Sequence, residues 1–143
     1  MKRPMLILFA VLFFVVSANS QHVLIVPSVE KTVAGNQYGL QLSIENKMQW
    51  SFGGFYQASW QPGETGMQFT NPFYGIIVNA PLVKSDRINF YFNTRLGLVN
   101  DQFFVVVPGF DTRLKLSSCL SFSIGSSLRM TYPSASARII ISI

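Results

Sequence analysis

The chain has 143 residues, a formal net charge of +5 and a single cysteine. One cysteine excludes a small exported domain stapled by disulfides, and basic residues scattered along the chain do not call for a nucleic-acid partner. Charged residues make up only 12% of the chain, well under the roughly 25–35% of a typical soluble surface.

Lys2 and Arg3 head the apolar run MLILFAVLFFVVSA, and Ala18-Asn19-Ser20 places small residues where a signal peptidase inspects them. This pattern predicts a cleaved signal peptide over 1–20 and one exported domain over 21–143. The run is about 14 residues long, short of the roughly 18–20 that a spanning helix needs. No cysteine stands at the cut to carry a lipid.

Beyond the leader the dominant signal is alternation. It predicts strands over 22–30, 37–46, 49–60, 73–83, 88–99, 102–116, 119–132 and 134–143. The fifth segment, INFYFNTRLGLV, is the cleanest. Ile88, Phe90, Phe92, Leu96 and Leu98 fall on one side, while Asn89, Tyr91, Asn93, Arg95 and Gly97 fall on the other. In the first and fourth segments Leu24, Val26 and Ile77 blur the pattern. Tight polar connections are expected at 46–48, 84–86 and 117–118. Longer ones are expected at 31–36 and 61–72, the latter reading QPGETGMQFTNP with its strand-breaking Pro and Gly.

The strand charges identify the faces. Glu30, Glu45, Arg95, Asp111, Arg113, Lys115, Arg129 and Arg138 all share the parity of the polar list. The rest of that list is small and uncharged, including Gln41, Ser43, Ser51, Gln57, Ser123 and Ser127. Such groups suit the filled lumen of an eight-stranded barrel, which is only wide enough for side chains, and the bulky residues then face lipid. Tyr38, Trp60, Tyr74, Phe104 and Tyr132 lie on the bulky list toward one end, and Trp50 toward the other, as an aromatic girdle at the two interfaces would. The predicted fold is therefore an all-β, eight-stranded antiparallel up-and-down transmembrane β-barrel.

YFNTRLGLVN, FFVVVPGFDTRLKLSSCLSFSIGSS and ARIIISI resemble the small outer-membrane β-barrel proteins of Gram-negative bacteria, the OmpA/OmpX-like type and within it the Bacteroidetes variety. The resemblance implies a location in the cell outer membrane, with outer-membrane lipid and the barrel-assembly machinery as partners. The family often closes on an aromatic residue, and this chain closes on Ile143. The family hosts adhesins, anchors, lipid-modifying enzymes and narrow channels, so resemblance alone does not choose a task.

The residues give no catalytic constellation. His22 is the single histidine and starts the first strand; no serine has a base in reach, and no phosphate loop or metal-ligand spacing occurs. No enzyme, cofactor or metal site is expected. The lumen charges Glu45, Arg95, Asp111, Arg113, Arg129 and Arg138 are expected to pair as a structural network. Asp111 should be its most sensitive acid, because Glu30 and Glu45 stand near strand ends. A pore lining is the rival reading. Gln61, Glu64, Met67, Gln68, Phe69 and Asn71 form the candidate contact patch for a protein partner on the 61–72 loop. Two alternatives to a structural or interaction role are a soluble exported lipocalin-like barrel around an apolar ligand and a narrow outer-membrane channel.

Overall fold

A computed structural model of the chain describes residues 20–33, 35–63 and 66–143. The leader assigned to 1–20 therefore lies almost wholly outside the described residues. The strands are β1 (Ser20–Thr32), β2 (Gly35–Asn46), β3 (Ser51–Gly63), β4 (Gly66–Val83), β5 (Ile88–Val99), β6 (Phe103–Lys115), β7 (Leu120–Arg129) and β8 (Tyr132–Ser142). Each pairs antiparallel with the next, and β1 pairs with β8 to close the barrel. Closure removes both sheet edges from the barrel wall.

Alternation sorts the side chains as expected. Leu40, Leu42, Val106, Phe110, Ile124, Leu128, Ile139 and many like them point outward and are exposed. Gln41, Ser43, Gln57, Asn93, Arg95, Asp111, Ser123 and Arg138 point inward and are buried. An apolar exterior of this extent is not a water-facing surface. The lumen is less purely polar than its composition predicts. Phe55, Phe73, Ile77, Val99, Val105 and Val107 form one apolar cluster inside it, and Leu24, Val26 and Ile140 form another. The residues that blur the alternation in the first and fourth segments are thus lumen packing.

The connections differ from the expected pattern. Thr32 pairs with Gly35, so only positions 33–34 join β1 to β2, and Gly35 takes a φ of 105° that suits glycine. Asn100 and Asp101 have φ of 53° and 59°, and Met130 and Thr131 have 50° and 73°. Paired positive φ values give the tight turns that match strand twist. The turns after β2, β4 and β6 are the longer ones, and Asn46 Oδ1 holds the first of them by accepting from the amides of Met48 at 2.9 Å and Trp50 at 3.0 Å.

The largest correction concerns 61–72, which is not a loop. Trp60 pairs with Phe69, Gln61 with Gln68, Pro62 with Met67 and Gly63 with Gly66. Pairing of β3 with β2 stops at Ser59, and pairing of β4 with β5 stops at Phe73. Residues 60–63 and 66–72 therefore rise beyond the rim as a two-stranded ribbon. A bulge at its base, where Asn71 has a φ of 52° and Pro72 has no amide hydrogen, shifts the register by one residue. Phe69 and Met67 face out in consequence, while Phe73 and Ile77, of the same odd parity, face in.

Gly75 and Gly97 oppose each other across β4 and β5. A Cβ on Gly97 would stand 2.1 Å from the Tyr74 carbonyl oxygen, and one on Gly75 would stand 2.0 Å from that of Leu96. The backbones approach here as at a barrel corner. Gly97→Ala should lower stability by about 1–3 kcal/mol, the usual range for overpacking. Gly54→Ala, whose Cβ would meet nothing closer than 3.7 Å, should be near neutral. Urea titration of refolded barrels compares the two; equal losses would contradict the close approach.

Candidate functional site

The end of the barrel where β1 begins and β8 ends is the near end; the ribbon stands at the far end. Between them the lumen holds three ion pairs stacked along its length. Nearest the far end, Arg95 on β5 meets Glu30 on β1 at 2.6 Å, both side chains almost fully buried. Arg138 on β8 meets Asp111 on β6 at 2.6 Å in the middle. Arg113 on β6 meets Glu45 on β2 at 2.7 Å toward the near end, with more exposure. Glu30–Arg95 and Glu45–Arg113 join opposite strands and are struts across the lumen, while Asp111–Arg138 spans only the intervening β7.

Glu30 is the hub of this system. Its Oε2 accepts from Arg95 Nη1 and from Gln57 Nε2 at 2.7 Å. Its Oε1 accepts from Arg95 Nη2 at 3.0 Å, Ser127 Oγ at 3.2 Å and Ser134 Oγ at 2.5 Å. Arg95 in turn donates to Gln57 Oε1 at 2.9 Å and Ser127 Oγ at 2.8 Å. A buried carboxylate needs nearly all its lone-pair positions filled to be tolerable, and five donors achieve that. Asp111 is served less completely: Oδ2 accepts from Arg138 and from Asn93 Nδ2 at 2.7 Å, and Oδ1 has no protein partner. The structure thus moves the central acid from Asp111 to Glu30, which stands inside the rim because β1 continues past it to Thr32.

Apolar groups wedge the charges in place. The Arg95 guanidinium lies 6.0 Å from the Phe55 ring and 5.8 Å from the Phe73 ring. Arg113 lies 4.3 Å from the Tyr91 ring. Arg129 stands apart from the ion pairs: its Nη1 donates to Gln37 Oε1 and its guanidinium is 4.5 Å from the Phe73 ring. The plug leaves two gaps of about 10 Å³ each, near Gln57 and Arg95 and near Asp111 and Arg113, each with room for about one water. A cup of about 260 Å³ opens at the far end and one of about 190 Å³ at the near end, the latter lined in part by His22, Glu45 and Arg113.

Five of the six girdle residues occupy the outside wall. Trp50 is exposed toward the near end, and Tyr38, Trp60 and Phe104 are exposed toward the far end. Tyr132 does not join them, because it opens β8 rather than ending the seventh strand, pairs with Arg129 on the lumen-facing parity and lines the far-end cup. Tyr74 is half-buried, and its hydroxyl donates to Asp101 Oδ1 at 2.6 Å. Trp60 stacks on Phe69 at 5.9 Å and meets Tyr38 edge-on at 6.4 Å. Of the candidate contact residues, Gln61, Met67 and Phe69 are exposed on the ribbon. Asn71 forms the bulge and is half-buried, and Glu64 lies outside the described residues.

No family model and no curated protein matches the chain. The fold is similar to two solved structures of designed proteins. One is from "De novo design of transmembrane beta-barrels", with a TM-score of 0.69 and 9% identity, covering 87% of this chain and 99% of that one. The other is the "Solution NMR structure of de novo designed TMB2.3", with a TM-score of 0.68 and 9% identity, covering 87% of this chain and 96% of that one. At such identity the likeness is one of fold, and that fold is the closed eight-stranded antiparallel barrel of a transmembrane β-barrel.

Proposed function

We propose that this chain is a small outer-membrane β-barrel protein of the OmpA/OmpX-like, Bacteroidetes-type group, exported by its leader, with a structural or interaction role and no catalytic one. The observation that carries the reading is an apolar, aromatic-ended exterior around a lumen closed by three buried ion pairs. An exterior of that kind is at rest in lipid, and a lumen so filled leaves no wide path for solutes. The barrel-assembly machinery and outer-membrane lipid are the partners that this reading requires. The far end then faces outward, and the ribbon of residues 60–63 and 66–72 presents Trp60, Met67 and Phe69 for contact with a protein partner.

Expression of the full chain in a Gram-negative host, followed by membrane fractionation, tests the reading. The protein should co-sediment with outer membranes, need detergent for release and show a heat-dependent gel shift. In planar bilayers it should carry no steady current. A monodisperse soluble periplasmic monomer would instead favour the lipocalin-like barrel, and a steady ion-selective current the narrow channel.

A further inference from the structure

Among the described residues, four arginines reach into the barrel and three carboxylates meet three of them one to one. Arg129 is the one left over. Its Nη1 is held by the neutral amide of Gln37, and its other donors make no hydrogen bond to the described residues. The ring of Phe73 lies against one face of the guanidinium. Arg129 lines the far-end cup, whose walls are mainly apolar and include Val33, Val99, Met130, Tyr132 and Pro133. A half-buried guanidinium beside an apolar wall, with no carboxylate in contact among the described residues, is suited to an added anion.

We propose that the far-end cup is a binding site for a small organic carboxylate, with Arg129 holding the carboxylate and the apolar wall holding the body of the ligand. The guanidinium presents donors in a fork that matches a planar carboxylate. The cup's 260 Å³ is many times the roughly 10–15 Å³ that one water needs on the same measure, room enough for a short-chain fatty acid or an aromatic acid. Thr32, Asn100 and Ser134 add polar groups to the lining. This binding role goes beyond the structural one proposed above and does not depend on which side of the membrane the cup faces.

The test is titration of the full barrel, refolded in a non-ionic maltoside, with sodium hexanoate. Calorimetry gives the affinity and the arginine Nε–H resonances report the site. Hexanol, acetate and inorganic phosphate are the comparison probes. Hexanoate should saturate one site and move the Arg129 resonance, and each comparison probe should bind more weakly. Arg129→Gln should weaken hexanoate about tenfold or more, as loss of a charge-assisted pair does. Gln37→Glu places a carboxylate beside Arg129 from within. It should weaken hexanoate to a similar degree while raising the urea midpoint of the barrel, which separates lost binding from lost folding. Hexanol binding as well as hexanoate would overturn the proposal, as would phosphate doing so, or hexanoate affinity unchanged in Gln37→Glu.

Discussion

Glu30→Gln should cost the barrel about 3–5 kcal/mol, the range for breaking a buried ion pair by removing one partner. The substitution keeps the shape of the side chain but turns one acceptor into a donor aimed at Arg95, Gln57, Ser127 and Ser134, which already donate there. Arg95 is then left charged among aromatic rings. Asp111→Asn should cost less, because one oxygen of Asp111 has no protein partner. Glu45→Gln should cost least, because the pair with Arg113 is the most solvent-exposed of the three. Adding Arg95→Met to Glu30→Gln should recover part of the loss, and a double-mutant cycle in urea measures the coupling. If Asp111→Asn proves the more damaging, Glu30 is not the hub.

Ile124→Lys should destabilise the barrel in bilayers by about 2–4 kcal/mol, the cost of a cation near the midplane on a barrel's lipid face. Ile124 lies outward and exposed halfway along β7. Leu120→Lys and Leu128→Lys, at the two ends of the same outward row, should cost far less because the ammonium can reach the interface. Refolding into lipid vesicles under urea measures all three. Depth dependence is the informative outcome. A barrel that keeps its outside in water would accept lysine equally at each of the three positions.

Strands and faces were legible in the sequence where nothing interrupts the pleat. The segment 88–99 matches Ile88–Val99 end to end, because the chain there alternates without a bulge. The ribbon was not legible. Pro62, Gly63, Gly66 and Pro72 carry the signature of a loop, and the bulge at Asn71 inverts parity midway along one strand. Apolar lumen residues such as Phe55 and Val107 read as noise in the pattern, since a closed lumen too narrow for bulk water tolerates them as well as a soluble core does. Parity put the charges on one face but did not show the network's full membership: the expected set left out Glu30, its hub, and included Arg129, which meets no carboxylate among the described residues. Its hierarchy was not legible either. The depth of Glu30 depends on how far β1 continues and on the stagger between strands, neither of which local periodicity encodes.

The donors that Glu30 gathers also have an order of arrival. Gln57 belongs to β3, Arg95 to β5, Ser127 to β7 and Ser134 to β8. The carboxylate is therefore satisfied only when the seam between β1 and β8 has closed. An open sheet holds that charge against apolar surroundings without the donors of β7 and β8, which should hold it back in the wet interfacial zone. The expected kinetic signature is one concerted crossing of the membrane, in which the interior charge works as a proofreading step that lets only complete barrels proceed.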